Sequence, residues 1–330
     1  MKNGTDQINL QYTTIKTPLP DFIYDNLRAY SAGANIYRPQ PAELIEKIAT
    51  KYHLPKEMIF LTAGIDEAIQ MFIHAYGGHT YTFAPCYVVY GDVELFGKKL
   101  TKIYSIDSGN EFTAPIKTYE DATLIILANP NNPSGVTPKD KVMELVRSNP
   151  QAIVAIDEAY GAFSDLTVDD QVIKHPNMVV FRSFSKDYGM AGNRIGYFIA
   201  HPDVIAKVKD FTTWANVSYL SVGAAITALD HEEYFANIRN DINKRRDEFI
   251  NFLKKQKFSV LPSRINAVVI KFGSEKEATA FVAYLSKNNI IASHGNGNSN
   301  IGLDKSFVRL SIGTAEQMTK VQKVLTSFPR

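Results

Sequence analysis

The chain has 330 residues, which at roughly 150 residues per domain allows one large or two medium domains with a well-buried core. Hydrophobic residues make up 45% and charged residues 21%, which excludes wholesale disorder. Lys and Arg number 36 and Asp and Glu 34, a net charge of +2, too balanced for a nucleic-acid or acidic-membrane surface.

A single cysteine, Cys86, excludes an intrachain disulfide and a thiolate-rich metal cluster. The histidines show no ligand spacing, so no metal is expected. The opening stretch MKNGTDQINLQYTTIK lacks the apolar core of a signal peptide. No run approaches the roughly 18 apolar residues of a membrane span. A soluble, cytoplasmic protein is expected.

Residues 1–40 are weakly periodic and contain prolines, which predicts an arm rather than a core element. The apolar runs 58–61, 80–84, 124–128, 152–156, 178–182 and 195–200 predict buried strands, and their two-sided apolarity predicts a sheet covered on both faces. Over 65–76, Ile65, Ala68, Ile69, Phe72 and Ile73 form one apolar stripe, with Asp66 and Glu67 suiting a helix N-terminus. Strands separated by helices argue for a mostly parallel sheet. After residue 202 the rhythm changes. Segments 203–213 and 219–256 read as helical, with Trp214 in the core or at a subunit contact. Strands near 268–272, 290–292 and 308–312 and helices near 275–288 and 314–327 make a smaller α+β unit. GNGNSNIG, 295–302, is a Gly/Asn loop.

Four segments can carry chemistry. RSFSKDYGMAGNRIGY, 182–197, puts Lys186 just past a strand, where open α/β sheets bind ligands. With Arg182, Arg194, Ser183 and Ser185 it suits a phosphate site and a lysine that forms a Schiff base. Alone it reads more readily as a solvated basic loop. LANPNNPSG, 127–135, is a strand end followed by turn formers; it either presents an asparagine amide or is only a tight turn. AIVAIDEAY, 152–160, ends a buried strand in Asp157 and Glu158, which are costly to bury without a cation. LTAGIDEAIQ, 61–70, brings a strand and a Gly turn to a helix start, an anion site built from backbone N–H groups. No G-x-G-x-x-G or G-x-x-x-x-G-K-[ST] run supports a nucleotide.

Together, NPNNPSG, IDEAY, SFSKDYGMAGNRIGY and VRLSIGT resemble the fold type I pyridoxal 5′-phosphate (PLP) enzymes, and most closely the histidinol-phosphate aminotransferase family. The resemblance runs from about residue 30 to the end. It implies an α/β fold: a large domain with a mostly parallel sheet and helices on both faces, plus a smaller α+β domain. The expected division is an arm over 1–34 belonging to the small domain, a PLP-binding domain over 35–230 and a small domain over 231–330.

The resemblance also implies roles. Lys186 matches the Schiff-base lysine and Asp157 the partner of the pyridinium nitrogen. Asn132 and Tyr160 match the pair on the ring hydroxyl. Ser183 and Arg194, with the backbone amides of Ile65 and Asp66, match the phosphate ligands. Tyr87 matches the aromatic stacked on the ring. Tyr37 matches a tyrosine reaching the neighbouring subunit's cofactor, which implies a homodimer. Arg309 matches the arginine that grips an anionic substrate group. Where relatives carry a second arginine, this chain has Ser293 followed by His294, with Arg264 or Arg38 as replacements. The implied activity is ping-pong transfer of an amino group between an amino acid, or an amino phosphate such as histidinol phosphate, and a 2-oxo acid or aldehyde. The alternative is a decarboxylase or lyase resembling threonine-phosphate decarboxylase.

Overall fold

The computed structural model describes residues 7–105, 112–295 and 300–329. Residues 1–6, within the opening stretch, and 296–299, within the Gly/Asn loop, lie outside the described residues.

Seven strands form the central sheet in the spatial order Ile59–Thr62, Gly196–Ile199, Met178–Ser183, Ile153–Asp157, Leu124–Ala128, His79–Ala84 and Lys99–Tyr104. Gly196–Ile199 runs antiparallel to both neighbours, and the other pairs are parallel. The period-2 pleat sends alternate side chains to opposite faces. Leu124 and Ile126 pack with the helix Ile65–Tyr76, whereas Ile125 and Leu127 pack with residues of Ala42–Tyr52, Lys139–Ser148 and Tyr219–Asp230. Both faces are therefore dry, which is why these strands read as unbroken apolar runs.

The edge strand Lys99–Tyr104 was not expected, because its residues are mostly half-exposed and carry no apolar run. The helix Asp21–Ser31 also departs from the expected arm. It buries only Ile23 fully, too little to produce a visible stripe. The long helical segment divides at His231 into Tyr219–Asp230 and Glu232–Lys255. The first is apolar nearly all round and buried. The second turns Phe235, Ile242, Phe249 and Leu253 inward along one face.

The C-terminal unit holds an antiparallel sheet ordered Ser259–Val260, Ala267–Lys271, Phe307–Ser311 and Ser293–His294. The N-terminal segment is sewn onto it. Ile8–Asn9 pairs in parallel with Ile290–Ile291, and the Ser311 amide donates to the Leu10 carbonyl at 2.9 Å. Asn266 Nδ2 donates to the Thr13 carbonyl at 2.9 Å. Among the described residues no helix is long and apolar enough to cross a membrane.

Candidate active site

Register decides where the chemistry gathers. Ala128, Asp157 and Phe181 lie side by side across three neighbouring parallel strands, so the loops after them open on one place. Asn132, Asp157 and Lys186 meet there in a cavity of about 310 Å³. Ile65, Asp66, Tyr87, Tyr160, Ser183, Arg194 and Arg309 complete its wall with them. These residues, expected from separate segments, are thus brought together, whereas Tyr37, expected to reach the neighbouring subunit's cofactor, is not among them. That residue is 79% exposed and lies outside the wall, its ring 5.8 Å from that of Trp214. Trp214 is itself 69% exposed, so its placement in the core is overturned.

The loop carrying Asn132 is rigid because its neighbours are spent on backbone. Asn129 exchanges two hydrogen bonds with Thr137, and Asn131 Nδ2 donates to the Pro85 and Ser134 carbonyls. Asn132 Nδ2 donates to Tyr160 Oη at 3.2 Å, and its Oδ1 accepts from Arg309 Nη1 at 2.8 Å. Arg309 also donates to the Gln11 carbonyl at 2.9 Å. It lies buried on a central strand of the small sheet. Ser293 sits directly across from it in the neighbouring strand.

Asp157 is buried at its strand end. Its Oδ1 accepts from the Ala159 amide at 2.9 Å and its Oδ2 from Tyr90 Oη at 2.5 Å. Burial still pushes the carboxyl up to about 6, against the lowering by Tyr90 and Ala159. Glu158, next in sequence, faces away and pairs with Arg182 at 2.8 Å. Arg182 is correspondingly buried among carboxylates and does not line the cavity, contrary to its reading as part of a phosphate cluster.

Lys186 lies on the short helix Phe184–Asp187, capped by Ser183 Oγ accepting from the Ser185 amide at 3.1 Å. Burial first, then the charges of Arg309, Lys16 and Arg194, against the opposing pull of Asp66, together lower its amine to about 8. The amine donates to Thr13 Oγ1 at 3.1 Å, and Thr13 Oγ1 lies 2.7 Å from Tyr160 Oη. Burial pushes the Tyr160 phenol up to about 12, opposed by Thr13 and Arg309.

At the opposite end the helix Ile65–Tyr76 starts with no side-chain cap, leaving its first amides facing the cavity. Arg194 Nη2 sits 2.9 Å from Asp66 Oδ2, and Tyr87 Oη donates to Asp66 Oδ1 at 3.0 Å. Gly64 has φ +80°, and a Cβ there would lie 2.5 Å from Arg194 Nη2, so glycine lets the guanidinium lie against the turn.

Several wall residues escaped the sequence reading, Tyr90 and Thr13 among them. Tyr90 is three residues from Tyr87 in APCYVVY, a spacing that offered a hint. Thr13 belongs to a polar stretch with no motif and offered none.

A family model described as "Aminotransferase class I and II" matches residues 5–325. The chain belongs to that family. It is a PLP-dependent enzyme of the aminotransferase type. A histidinol-phosphate aminotransferase of Sulfurisphaera tokodaii is 29% identical over 337 residues, covering 97% of this chain and 90% of that one. The crystal structure of histidinol-phosphate aminotransferase from Sinorhizobium meliloti, in complex with pyridoxal-5′-phosphate, superposes with a TM-score of 0.86 at 22% identity, covering 97% and 91% of the two chains. L-threonine-O-3-phosphate decarboxylase from Porphyromonas gingivalis gives 0.83 at 23% identity, covering 97% and 99%. At such identities the two structures speak for a shared fold, common to transaminases and decarboxylases alike.

The cavity fits this cofactor. It has uncapped helix amides and a guanidinium at one end for a phosphate, a buried carboxylate for a ring nitrogen, and an amine of lowered basicity in the wall between.

Proposed function

We propose that the enzyme moves an amino group between a small amino donor and a 2-oxo acid or aldehyde, with Lys186 as its covalent anchor and proton carrier. The observation that carries this is one cavity holding an amine lowered to about 8, a buried carboxylate and an anion-binding helix start. Bound PLP supplies an electron sink that stabilises negative charge at the substrate's Cα.

The chain's residues divide the remaining tasks. Asp157 would pair with the ring nitrogen and keep it protonated. Asn132 and Tyr160 would bond the ring hydroxyl. The amides of Ile65 and Asp66, with Ser183 and Arg194, would hold the phosphate, and Tyr87 would cover the ring. Lys186, freed from the cofactor, takes a proton from one carbon and returns it to another; an amine lowered to about 8 suits both directions near neutral pH. Arg309 grips the carboxylate or phosphate of the donor through its fork. Donor and acceptor use the same space in turn, hence a ping-pong order. The exposed pair Tyr37 and Trp214 suits burial against a second copy, with Tyr37 reaching the neighbouring phosphate.

Borohydride reduction of the PLP-loaded protein followed by peptide mass spectrometry should place the pyridoxyl group on Lys186. An amino donor should then convert the visible band to that of pyridoxamine phosphate, and an oxo acid should restore it. Carbon dioxide release without pyridoxamine phosphate would replace transamination by decarboxylation. Turnover by Lys186→Ala would sink the assignment.

A further inference from the structure

We propose that Tyr90 is a positioning residue for catalysis, its buried phenol holding the Asp157 carboxylate ionised and aimed at the cofactor's ring nitrogen. The inference rests on the reading of Asp157 given above. Tyr90 is fully buried, and its hydroxyl donates to Asp157 Oδ2 at 2.5 Å, within the short range of O–H···O⁻ bonds. The two side chains come from separate elements, a 3₁₀ turn over Val88–Gly91 and a strand end, and both line the cavity.

The carboxylate needs this partner. Asp157 lies in a nearly dry place, which favours its neutral form. Asp66, at the start of the facing helix, adds a like charge that pushes the same way. The other titratable groups facing it are the Tyr87, Tyr90 and Tyr160 phenols. Among the described residues no cation is hydrogen-bonded to Asp157; its partners are the Ala159 amide and Tyr90. Of these, Tyr90 alone is a side chain, and its bond favours the ionised carboxylate. A neutral Asp157 could not hold a proton on a pyridine nitrogen, and the ring would lose acidity where the reaction needs it. Tyr90 also fixes direction: with Oδ2 tied to Tyr90 and Oδ1 to the Ala159 amide, the carboxylate plane cannot rotate.

The test is Tyr90→Phe, which removes one oxygen and keeps the ring's packing, including its edge-on contact with Tyr87 at 6.0 Å. PLP affinity is measured by titration of the visible band as a function of pH, and kcat and KM are measured separately. Removing a hydrogen bond to a buried charge should raise the Asp157 pKa by about one unit. The acid limb of PLP binding should then move up by about one pH unit, with affinity weaker by about tenfold below that limb and by only about twofold near neutral pH, and kcat falling while the donor's KM holds. Tyr90→His keeps a donor and should bring the limb back toward the wild type. A Tyr90→Phe limb and affinity unchanged from the wild type would overturn the inference. So would a Tyr90→His limb that stays where phenylalanine put it, since Tyr90 would then serve packing alone. Asp157→Asn separates the levels: if it bound PLP as the wild type does across the same pH range, the role of Asp157 itself would fail.

Discussion

The Lys186 amine donates to Thr13 Oγ1 at 3.1 Å, although 173 positions separate them. Thr13 reaches the lysine because the N-terminal segment is bonded to the C-terminal unit at Ile8, Leu10 and Thr13 itself. Its hydroxyl also meets Tyr160 Oη, so one threonine spans the amine and the phenol. A freed Lys186 amine therefore has a fixed resting place. Thr13→Val keeps the shape and deletes the hydroxyl. It should lower kcat by about tenfold with a smaller change in KM, as expected for one hydrogen bond to a charged group. Rapid-mixing spectra of donor half-reactions should show the loss in the conversion step.

The basicity of Lys186 sets a pH dependence. Only the neutral amine condenses with an aldehyde. Burial first, then the Arg309, Lys16 and Arg194 charges, lower the amine from an ordinary 10.5 to about 8. The neutral fraction grows as pH rises through that value. The rate of PLP capture by the apoprotein should rise about tenfold per pH unit below about 8 and level off above it. Arg309→Gln removes one lowering charge, so the break should move to more alkaline pH. A rate that kept climbing toward the range of an exposed lysine would contradict this environment.

Much of this site was legible because its residues follow apolar strands. Asp157 and Lys186 could be placed from the runs before them, and parallel register then brought the strand ends together. What stayed hidden depends on distant partners. Thr13 stands in a stretch whose order comes from backbone pairing with residues 289–291, which leaves no side-chain pattern. Arg182 read as a phosphate ligand by its place beside Ser183; the pleat turns it to the other face, onto Glu158. Lys99–Tyr104 and Asp21–Ser31 escaped because few of their side chains are buried.

Gly64 offers a test of the anion end. At φ +80°, Gly64→Ala should cost roughly 1–2 kcal/mol of stability through backbone strain. The new methyl would also push the Arg194 guanidinium from the turn. PLP affinity should fall by more than the stability loss explains, because a folded variant still lacks the aligned guanidinium. Urea unfolding of the apoprotein and PLP titration of the folded variant separate the two effects.

The last expectation concerns what supports Lys186 from behind. Arg182 sits four residues before it, pairs with Glu158 at 2.8 Å and lies 3.7 Å from both Asp169 and Asp187. Glu158 Oε1 in turn accepts from the Val168 amide at 2.7 Å, so the cluster ties two strand ends to the loop beyond them. Its members are mostly buried, and removing one leaves the others as uncompensated charge. Arg182→Met should therefore destabilise by about 3–5 kcal/mol in urea unfolding. Glu158→Gln in the same chain removes one of the stranded charges and should recover part of that loss. If the double variant were no more stable than Arg182→Met, the cost would lie in lost packing, since the arginine also lies over the Tyr52 ring at 5.6 Å.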